Sequence, residues 1–333
     1  MVDGKKLYVS ASPHVRSKDT ARGIMLDVII ALLPTLVWSS AVFGLRVLAV
    51  TAVSVATCVL SEFIMRKFVL KRHNTIGDLS AVVTGMLLAF NVPSNIPYWM
   101  IIIGGIFAIV VAKQCFGGIG QNFVNPAIAG RIFMLLSFSG AMSSWPIPRQ
   151  GMFNFSTVDV VTAATPLKAL AEGGETPTTL EMLLGLRGGC IGETCIIALV
   201  IGFIYLLARK VITITIPASF IGTVAVIMLI AGKGDFGFAA KQLLSGGLFL
   251  GAIYMATDYT TSPITQKGKL IFGIGCGLFT CLIRLFGSLP EGVSYSIILM
   301  NVLCPLIEKA TTPKPFGTPK KEKKAKKEEE GKA

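Results

Sequence analysis

Charged residues are scarce in this sequence. Only 15% of its 333 residues are charged, while 53% are hydrophobic, and the mean hydropathy is +0.70. A water-soluble globular protein of this length needs far more polar surface than this composition can supply. The scarcity of charge therefore excludes a soluble enzyme and predicts an all-α polytopic membrane protein.

Histidines and closely spaced cysteines are also scarce. The two histidines, His14 and His73, fall in polar segments, which excludes a bis-histidine haem within the membrane. The seven cysteines come no closer than C-x4-C, unlike the C-x2-C of zinc and ferredoxin sites. We interpret them as small, polarizable packing residues and predict no metal site. Nothing resembles a dinucleotide-binding fingerprint or an iron–sulfur ligand set, so no catalytic residues are expected in the chain alone.

The net charge of +13 does not indicate a nucleic-acid partner. Lysines and arginines are spread through short loops and one tail, without a basic face accompanied by aromatic residues. Residues 1–23 are polar, contain five of these basic residues, and do not resemble a cleavable signal peptide. We therefore expect this amino-terminal segment to remain in the cytoplasm.

Ten windows are apolar enough to be candidate membrane spans. The windows are 24–44, 47–64, 79–92, 98–116, 123–138, 191–208, 211–231, 243–257, 270–286 and 293–307. They predict a first five-helix repeat over 24–138 and a second over 191–309. Between them lies a polar loop, 139–190, and after them a Lys/Glu-rich tail, 310–333, which we expect to be disordered and to contact membrane lipid.

The distribution of basic residues predicts the orientation. Excluding the tail, segments on the side of the amino terminus contain 14 lysines and arginines, against seven on the other side. Cytoplasmic loops carry the excess of positive charge, so both termini are expected in the cytoplasm of a prokaryotic cell, with loop 139–190 outside.

The two halves resemble each other at an offset near 170 residues; for example, Pro93 aligns with Pro263. Five spans is an odd number, so the second half would be inverted relative to the first. The third span of each half, 79–92 and 243–257, is shorter than a bilayer core requires. Interrupted spans at matching positions predict a central binding site, because helix ends within a membrane must face a cavity or a ligand.

Loop 139–190 contains the run Asp159-Val160-Val161-Thr162-Ala163-Ala164-Thr165-Pro166. Pro166 favours an extended conformation at Thr165, and the two preceding alanines leave its hydroxyl open to a modifying enzyme. Asp159 and Thr162 could orient a phosphate. The alternative is a helix start, with Thr165 as N-cap and Pro166 at the first helical position.

This run resembles the flavinylation motif Asp-x-x-Ser/Thr-x-Ala-Thr, whose last threonine a flavin transferase joins to the phosphate of FMN. Four further stretches agree with the resemblance: 12–14 (SPH), 125–131 (NPAIAGR), 257–259 (TDY) and 313–317 (PKPFG). Over nearly its whole length the chain resembles the D subunit of Rnf-type ion-translocating ferredoxin:NAD oxidoreductases. It is more distantly similar to the B subunit of the sodium-translocating NADH:quinone reductase.

The resemblance implies covalent FMN on Thr165 through a phosphoester, and a second, noncovalent flavin, riboflavin, within the helices. Asn122, Asn125, Arg131, Asp258 and Thr260 could contact that second flavin. It also implies partner subunits of the complex, among them an extracytoplasmic FMN subunit and iron–sulfur subunits.

Structural interpretations of these residues stay open. Asn125-Pro126 could begin a helix, and Arg131 could form a buried pair with Asp78 or Glu62. Asp27, Glu62 and Arg131 are candidates for function because an ionisable group inside a span is costly. Asp78 is better explained as a helix cap than as an ion site.

Two functions fit these observations. The first is a flavoprotein subunit that carries electrons across the membrane and is coupled to Na+ or H+ translocation. The second is a channel or transporter for small solutes, which an inverted repeat with broken helices would also suit. The loop motif favours the first, since a permease has no reason to carry a transferase recognition site.

Overall fold

The structure, a computed structural model, describes residues 19–72, 75–146, 167, 177–193, 195–287 and 291–313. All regular secondary structure in those residues is helical. The α-helices described are α1 (Ala21–Phe43), α2 (Arg46–Ile64), α3 (Ser80–Phe90), α4 (Tyr98–Ile106), α5 (Pro126–Ser137), α6 (Ser139–Met142), α7 (Thr179–Leu184), α8 (Ile196–Ala208), α9 (Thr215–Ala231), α10 (Phe236–Leu244), α11 (Leu248–Leu250), α12 (Gln266–Phe286) and α13 (Val293–Thr311). A 3-10 helix, Ile76–Asp78, precedes α3.

Three α-helices continue as π-helices, in which each backbone bond spans one residue more than in an α-helix. The π-helical segments are Met65–Val69 after α2, Phe107–Gln114 after α4 and Gly251–Met255 after α11. Segments of this kind are rare and often lie at functional sites. Two of these three border the cavity described below.

Within the described residues, four helices are long and apolar enough to cross a membrane: Ala21–Phe43, Arg46–Val69, Gln266–Phe286 and Val293–Thr311. The pair Phe236–Leu244 and Leu248–Met255, bent by 63° at its break, would make a fifth. Five further apolar helices are shorter. The predicted all-helical, membrane-type fold is confirmed, and each of the ten apolar windows contains helix. The count of ten spans and the inverted repeat stay predictions.

Side-chain caps begin several of these helices. Thr20 accepts a hydrogen bond from the backbone N–H of Gly23 at 3.1 Å, and Thr265 accepts one from Gly268 at 3.0 Å. Asn125 accepts from Ala127 and Ile128 at the start of α5, whose first residue is Pro126. Such caps satisfy amide groups that have no partner within the helix. The interpretation of Asn125-Pro126 as a helix start is therefore confirmed.

Glycines let the helices pack closely. A Cβ on Gly85 of α3 would lie 2.7 Å from the Cα of Val55 on α2. A Cβ on Gly202 of α8 would lie 2.2 Å from the carbonyl oxygen of Ala31 on α1 and 2.0 Å from the hydroxyl of Tyr254. Small residues at helix crossings are typical of membrane proteins, because packing is what holds such helices together.

Replacing Gly202 with alanine is expected to destabilise the protein by about 1–3 kcal/mol, since neither backbone nor buried hydroxyl can retreat easily. Gly222→Ala is the matched control, because nothing lies within 4 Å of a Cβ on that helical glycine. Alanine should there be neutral or stabilising by up to about 1 kcal/mol. Thermal unfolding in detergent measures the stability of both variants. Equal melting temperatures for Gly202→Ala and Gly222→Ala would contradict the close approach of α8 to α1 at Gly202.

The ends of loop 139–190 lie at one end of the helix bundle. The indole of Trp38, late in α1, donates to the carbonyl of Leu184, and the Asn95 amide donates to Ser144 Oγ. The opposite end holds Asp27, early in α1, paired with Arg209 just after α8. The described ends of the loop and the first described residues are therefore at opposite ends of the bundle.

Arginines stabilise two irregular segments at the loop end of the bundle. Arg46 donates to the carbonyls of Ser94, Asn95 and Ile96 in the segment that follows α3. Arg284 donates to the carbonyls of Gln242 and Ser245 at the break between α10 and α11. In both places a guanidinium group satisfies carbonyls that a continuous helix would have satisfied itself.

Candidate functional site

A cavity of about 230 Å³ lies toward the amino-terminal end of the bundle. By the same measure a single water molecule needs about 10–15 Å³, so the cavity can take a multi-ring molecule. Its walls come from α1, α3, α5, the end of α8 and the π-helical segments of both halves. The lining residues are Ala21, Ile24, Met25, Val28, Ser80, Val83, Thr84, Leu87, Lys113, Ile119, Asn122, Asn125, Pro126, Leu206, Val211, Ile212, Ile253, Tyr254, Thr257, Asp258, Tyr259 and Thr260.

Two asparagines form part of the polar wall. Asn125 caps α5 with its amide oxygen, while its Nδ2 donates to the carbonyl of Met255, 3.2 Å away. That bond ties the start of α5 to the end of the π-helical segment Gly251–Met255. Asn122 donates to the carbonyl of Val124, and its amide oxygen accepts no hydrogen bond from the described residues. Asn122 is therefore the better placed of the two to contact a ligand.

The segment after Met255 supplies a carboxylate. Asp258 Oδ2 accepts hydrogen bonds from the hydroxyls of Thr260, at 3.0 Å, and Thr261, at 3.3 Å. Burial raises the pKa of the Asp258 carboxyl, and these threonine hydroxyls oppose that shift by stabilising the ionised form. The segment thus holds an acceptor in fixed orientation at the cavity wall.

A buried ion pair also borders the cavity. Lys113, on the π-helical segment Phe107–Gln114, donates to Glu62 at 2.8 Å and to Ser80 Oγ at 2.6 Å. Glu62 also accepts from the Thr75 hydroxyl, and Asp78 accepts from the backbone N–H of Ser80 at the start of α3. The N-cap of α3 is Leu79, which makes no side-chain cap hydrogen bond, so the predicted N-cap role of Asp78 was wrong; its carboxylate instead accepts from the backbone N–H and the hydroxyl of Ser80.

Removing one partner of this pair should be costly. We expect Lys113→Met to destabilise the protein by about 3–5 kcal/mol, because it leaves a carboxylate buried without a cation. The double variant Lys113→Met, Glu62→Leu should recover part of that loss. Thermal unfolding in detergent measures both.

Arg209→Gln serves as the control. Arg209 belongs to an ion pair whose arginine side chain is 59% exposed, so its loss should cost less than about 1 kcal/mol. A Lys113→Met variant no less stable than Arg209→Gln would show that the buried pair contributes nothing.

The remaining wall is apolar. Side chains of α1, α3 and α8, among them Val28, Val83 and Leu206, face the cavity together with Ile253. The hydroxyl of Tyr254 lies 3.2 Å from the carbonyl oxygen of Ala31 and 3.1 Å from that of Leu199, which joins α1 and α8 to the π-helical segment. Because its lining combines a few hydrogen-bonding side chains with a larger apolar area, the cavity suits a molecule that has both a hydrogen-bonding edge and a hydrocarbon part.

A second polar group lies toward the loop end of the bundle. Arg131 of α5 pairs with Glu291 and donates to Asn91 Oδ1, at 3.1 Å, and Ser294 Oγ, at 2.7 Å. Its other nitrogen lies 3.8 Å from the sulfur of Cys190. Asn91 in turn donates to the sulfur of Met255, so this group contacts the π-helical segment Gly251–Met255, which also lines the cavity.

Two more arginines and a second glutamate belong to the same group. Arg187 is 3% exposed and donates to the carbonyl of Glu193, whose carboxylate accepts from the backbone N–H of Cys190. A Cβ on Gly247, at the break between α10 and α11, would lie 3.3 Å from Glu193 Oε2 and 3.9 Å from Arg131 Nη1. We call Arg131, Arg187, Arg284, Glu193 and Glu291 the arginine cluster.

Comparison with known proteins identifies the family of this chain. Residues 8–317 match the family model described as "NQR2, RnfD, RnfE family". The chain belongs to this family.

Three relatives are similar over most of their length, and each is the D subunit of an oxidoreductase complex. The chain is 49% identical to that of the Na(+)-translocating ferredoxin:NAD(+) oxidoreductase complex of Acetobacterium woodii, over 96% of this chain and 98% of the relative. It is 42% identical to the D subunit of the proton-translocating ferredoxin:NAD(+) oxidoreductase complex of Clostridium ljungdahlii, over 93% of this chain and 96% of the relative. It is 34% identical to the D subunit of the ion-translocating oxidoreductase complex of Stutzerimonas stutzeri, over 88% of this chain and 91% of the relative.

In this family member, four of the predicted contact residues line one cavity: Asn122, Asn125, Asp258 and Thr260. Arg131 does not line it and lies in the arginine cluster instead. The remaining predicted residues, Asp159, Thr162, Thr165 and Pro166, lie outside the described residues. Leu167, which follows them, is described and buried.

The ionisable groups predicted inside spans all have partners. Asp27 pairs with Arg209 and accepts from the hydroxyl of Tyr205, and Glu62 pairs with Lys113. Arg131 pairs with Glu291, so the proposed pairing of Arg131 with Asp78 or Glu62 was wrong. Sequence spacing could not have found this partner, because 160 residues separate the two.

Sequence reasoning missed Lys113, Tyr254, Arg187 and Arg284. Lys113 and Arg284 each stand alone near the end of an apolar window, which is the pattern that could have singled them out. Nothing in the sequence marks the π-helical segments that orient Lys113 and Tyr254. Arg187 lies in the predicted loop 139–190, where nothing in the sequence distinguishes it from an exposed loop charge, although it is buried.

Proposed function

We propose that this chain is the D subunit of a membrane-bound ferredoxin:NAD oxidoreductase complex that couples electron flow to Na+ or H+ translocation. In this proposal it carries electrons through FMN joined by a phosphoester to Thr165 and through a second, noncovalent flavin. The observation that carries the proposal is the cavity that gathers Asn122, Asn125, Asp258 and Thr260 between the interrupted helices.

The cavity residues fit a flavin ring. Its edge of carbonyl and ring nitrogen groups would meet the Asn122 amide, the Asp258–Thr260 segment and Lys113, while its dimethylbenzene edge would meet Val28, Val83 and Leu206. A bound flavin supplies reversible acceptance and donation of electrons. The chain would orient the ring through these contacts.

The resemblance of the loop motif to a flavinylation site supports the covalent flavin as well. The motif from Asp159 to Thr165 lies in the loop whose ends are at the opposite end of the bundle from the cavity. Two flavins held at opposite ends would let electrons cross the membrane. In this arrangement the loop is extracytoplasmic, both termini are cytoplasmic, and a flavin transferase modifies Thr165.

We further propose that the ten helical windows are ten spans in two inverted five-helix repeats. The break in the third window of the second half supports this, as does the short α3 at the matching position of the first. The chain would lie in a prokaryotic cell membrane beside the other subunits of the complex. Those subunits, including the iron–sulfur ones and an extracytoplasmic FMN subunit, would carry the remaining chemistry.

Flavin analysis of the purified native complex tests the proposal. Acid precipitation should release one flavin per copy of this chain as riboflavin and leave a second on the denatured chain, fluorescent in a gel. A colourless denatured chain that releases no flavin would contradict the proposal. Flux of a small solute through the purified protein alone would support a transporter instead.

A further inference from the structure

The arginine cluster contains more donors than its neighbours satisfy. Among the described residues, the Nε atoms of Arg131, Arg187 and Arg284 and the Nη1 atom of Arg187 are buried without a hydrogen-bond partner. A buried donor without a partner is costly, and a charged donor more so. Such an arrangement persists when a ligand with several acceptor atoms completes it.

The charge of the cluster is also unbalanced. Three arginines face two glutamates, Glu193 and Glu291, which lie within electrostatic reach of all three. Even with both glutamates ionised, the cluster has one positive charge more than negative charge. Buried charges are normally paired, so the imbalance points to a ligand with at least one negative charge.

A cation suits this cluster less well. The ligand atoms of Cys190, Glu193 and Glu291 lie within 4.8 Å of one another, which would allow a metal ion on distance alone. A metal ion would add positive charge where an excess already exists. An anion would remove that excess and satisfy the free N–H groups together.

Leu167 brings the cluster close to the loop motif. A Cβ on Gly246 would lie 2.6 Å from Leu167 Cδ1 and 3.2 Å from Arg284 Nη2, so both side chains converge on this glycine. Leu167 is 4% exposed and thus packed within the protein. Thr165 precedes it by two residues, and covalent geometry keeps their Cα atoms within about 7 Å.

We infer that the arginine cluster binds the phosphodiester that links FMN to Thr165. This inference rests on the proposed function. A phosphodiester has one negative charge, as each nucleic-acid phosphate does, and two free oxygens that accept hydrogen bonds. The planar guanidinium group matches phosphate oxygens in pairs, which makes arginine suited to such a site. The cluster positions the flavin and keeps its linkage away from water; it takes no part in electron transfer.

The test compares the full-length protein made with and without the flavin transferase. Flavinylation should raise the melting temperature of the wild-type protein by about 3 °C or more, because it satisfies several charged donors. In Arg187→Gln the same shift should fall below a third of that value. The unmodified Arg187→Gln protein should be no less stable than the unmodified wild type, because the substitution removes the excess charge.

Arg209→Gln is the control, since Arg209 pairs with Asp27 at the other end of the bundle and should leave the shift intact. An undiminished shift in Arg187→Gln would overturn the inference. The mass of peptide 150–168, measured in every sample, separates the two proposals. FMN absent from the wild-type peptide would overturn the proposed function itself.

A second measurement uses only the native sequence and decides the question even if Arg187→Gln does not fold. Dimethyl phosphate, compared with chloride at matched ionic strength, should raise the melting temperature of the unmodified wild-type protein and leave the flavinylated one unchanged. No shift in the unmodified protein, or a shift with zinc ions instead, would overturn the inference.

Discussion

Thr165→Ala is expected to abolish covalent flavinylation completely. The hydroxyl is the only group at this position that can form the phosphoester, so the denatured protein should lose all of its flavin fluorescence. The tryptic peptide 150–168 should change from the mass of its FMN adduct to its unmodified mass, less one oxygen and one CH2 group. Ferredoxin-dependent NAD+ reduction by the assembled complex should be lost as well, because one of the electron carriers between ferredoxin and NAD+ is missing.

Thr157→Ala is the matched control, because Thr157 lies in the same loop and peptide but outside the motif. It should keep full fluorescence and the full adduct mass. Fragmentation of the peptide then assigns the adduct to one hydroxyl among several. An FMN adduct that persists in Thr165→Ala would show that another residue is the acceptor.

Filling the cavity should remove the noncovalent flavin and spare the covalent one. Val83 lines the apolar wall, and Val83→Trp would place an indole where we expect the ring of the flavin. The flavin released by acid should fall from one per chain to below about a tenth, since a steric overlap of this size cannot be relieved in a close-packed interior. Chromatography of the acid extract measures it, while gel fluorescence monitors the flavin on Thr165.

Val226→Trp is the control for the general effect of placing a tryptophan on a membrane helix. Val226 is 59% exposed on α9, so the substitution should leave both flavins in place. Two flavins per chain in Val83→Trp would show that the second flavin binds elsewhere. Loss of both flavins from Val83→Trp alone would indicate a folding defect rather than an occupied cavity.

Much of the fold could be predicted from the sequence, because the hydrophobicity that marks a membrane helix is a sum over neighbouring residues. A bilayer core demands apolar stretches, and each of the ten apolar windows identified in the sequence contains helix in the structure. The short third windows also showed where helices break. The structure has α3 ending at Phe90 and a 63° bend between Phe236–Leu244 and Leu248–Met255.

The candidate site could be predicted only in part, because its geometry depends on contacts between distant residues. Asn122 and Asp258 stand out as polar residues beside apolar windows, and they do line one cavity. Arg131 stands out as a charge inside an apolar window, yet it pairs with Glu291, 160 residues away, and lies in the arginine cluster instead of lining the cavity. Isolated charges thus indicate that a buried site exists without indicating which one.

The π-helical segments on two sides of the cavity have an evolutionary consequence. Each contains the equivalent of one inserted residue, and one residue turns a helix by about 100°. If the same residues formed an ordinary α-helix, Lys113 would be turned by about that angle and its ammonium group would point away from Glu62. Gaining or losing one residue within 107–114 or 251–255 would change which side chains line the cavity, so we expect homologues to differ there by substitutions and not by insertions or deletions.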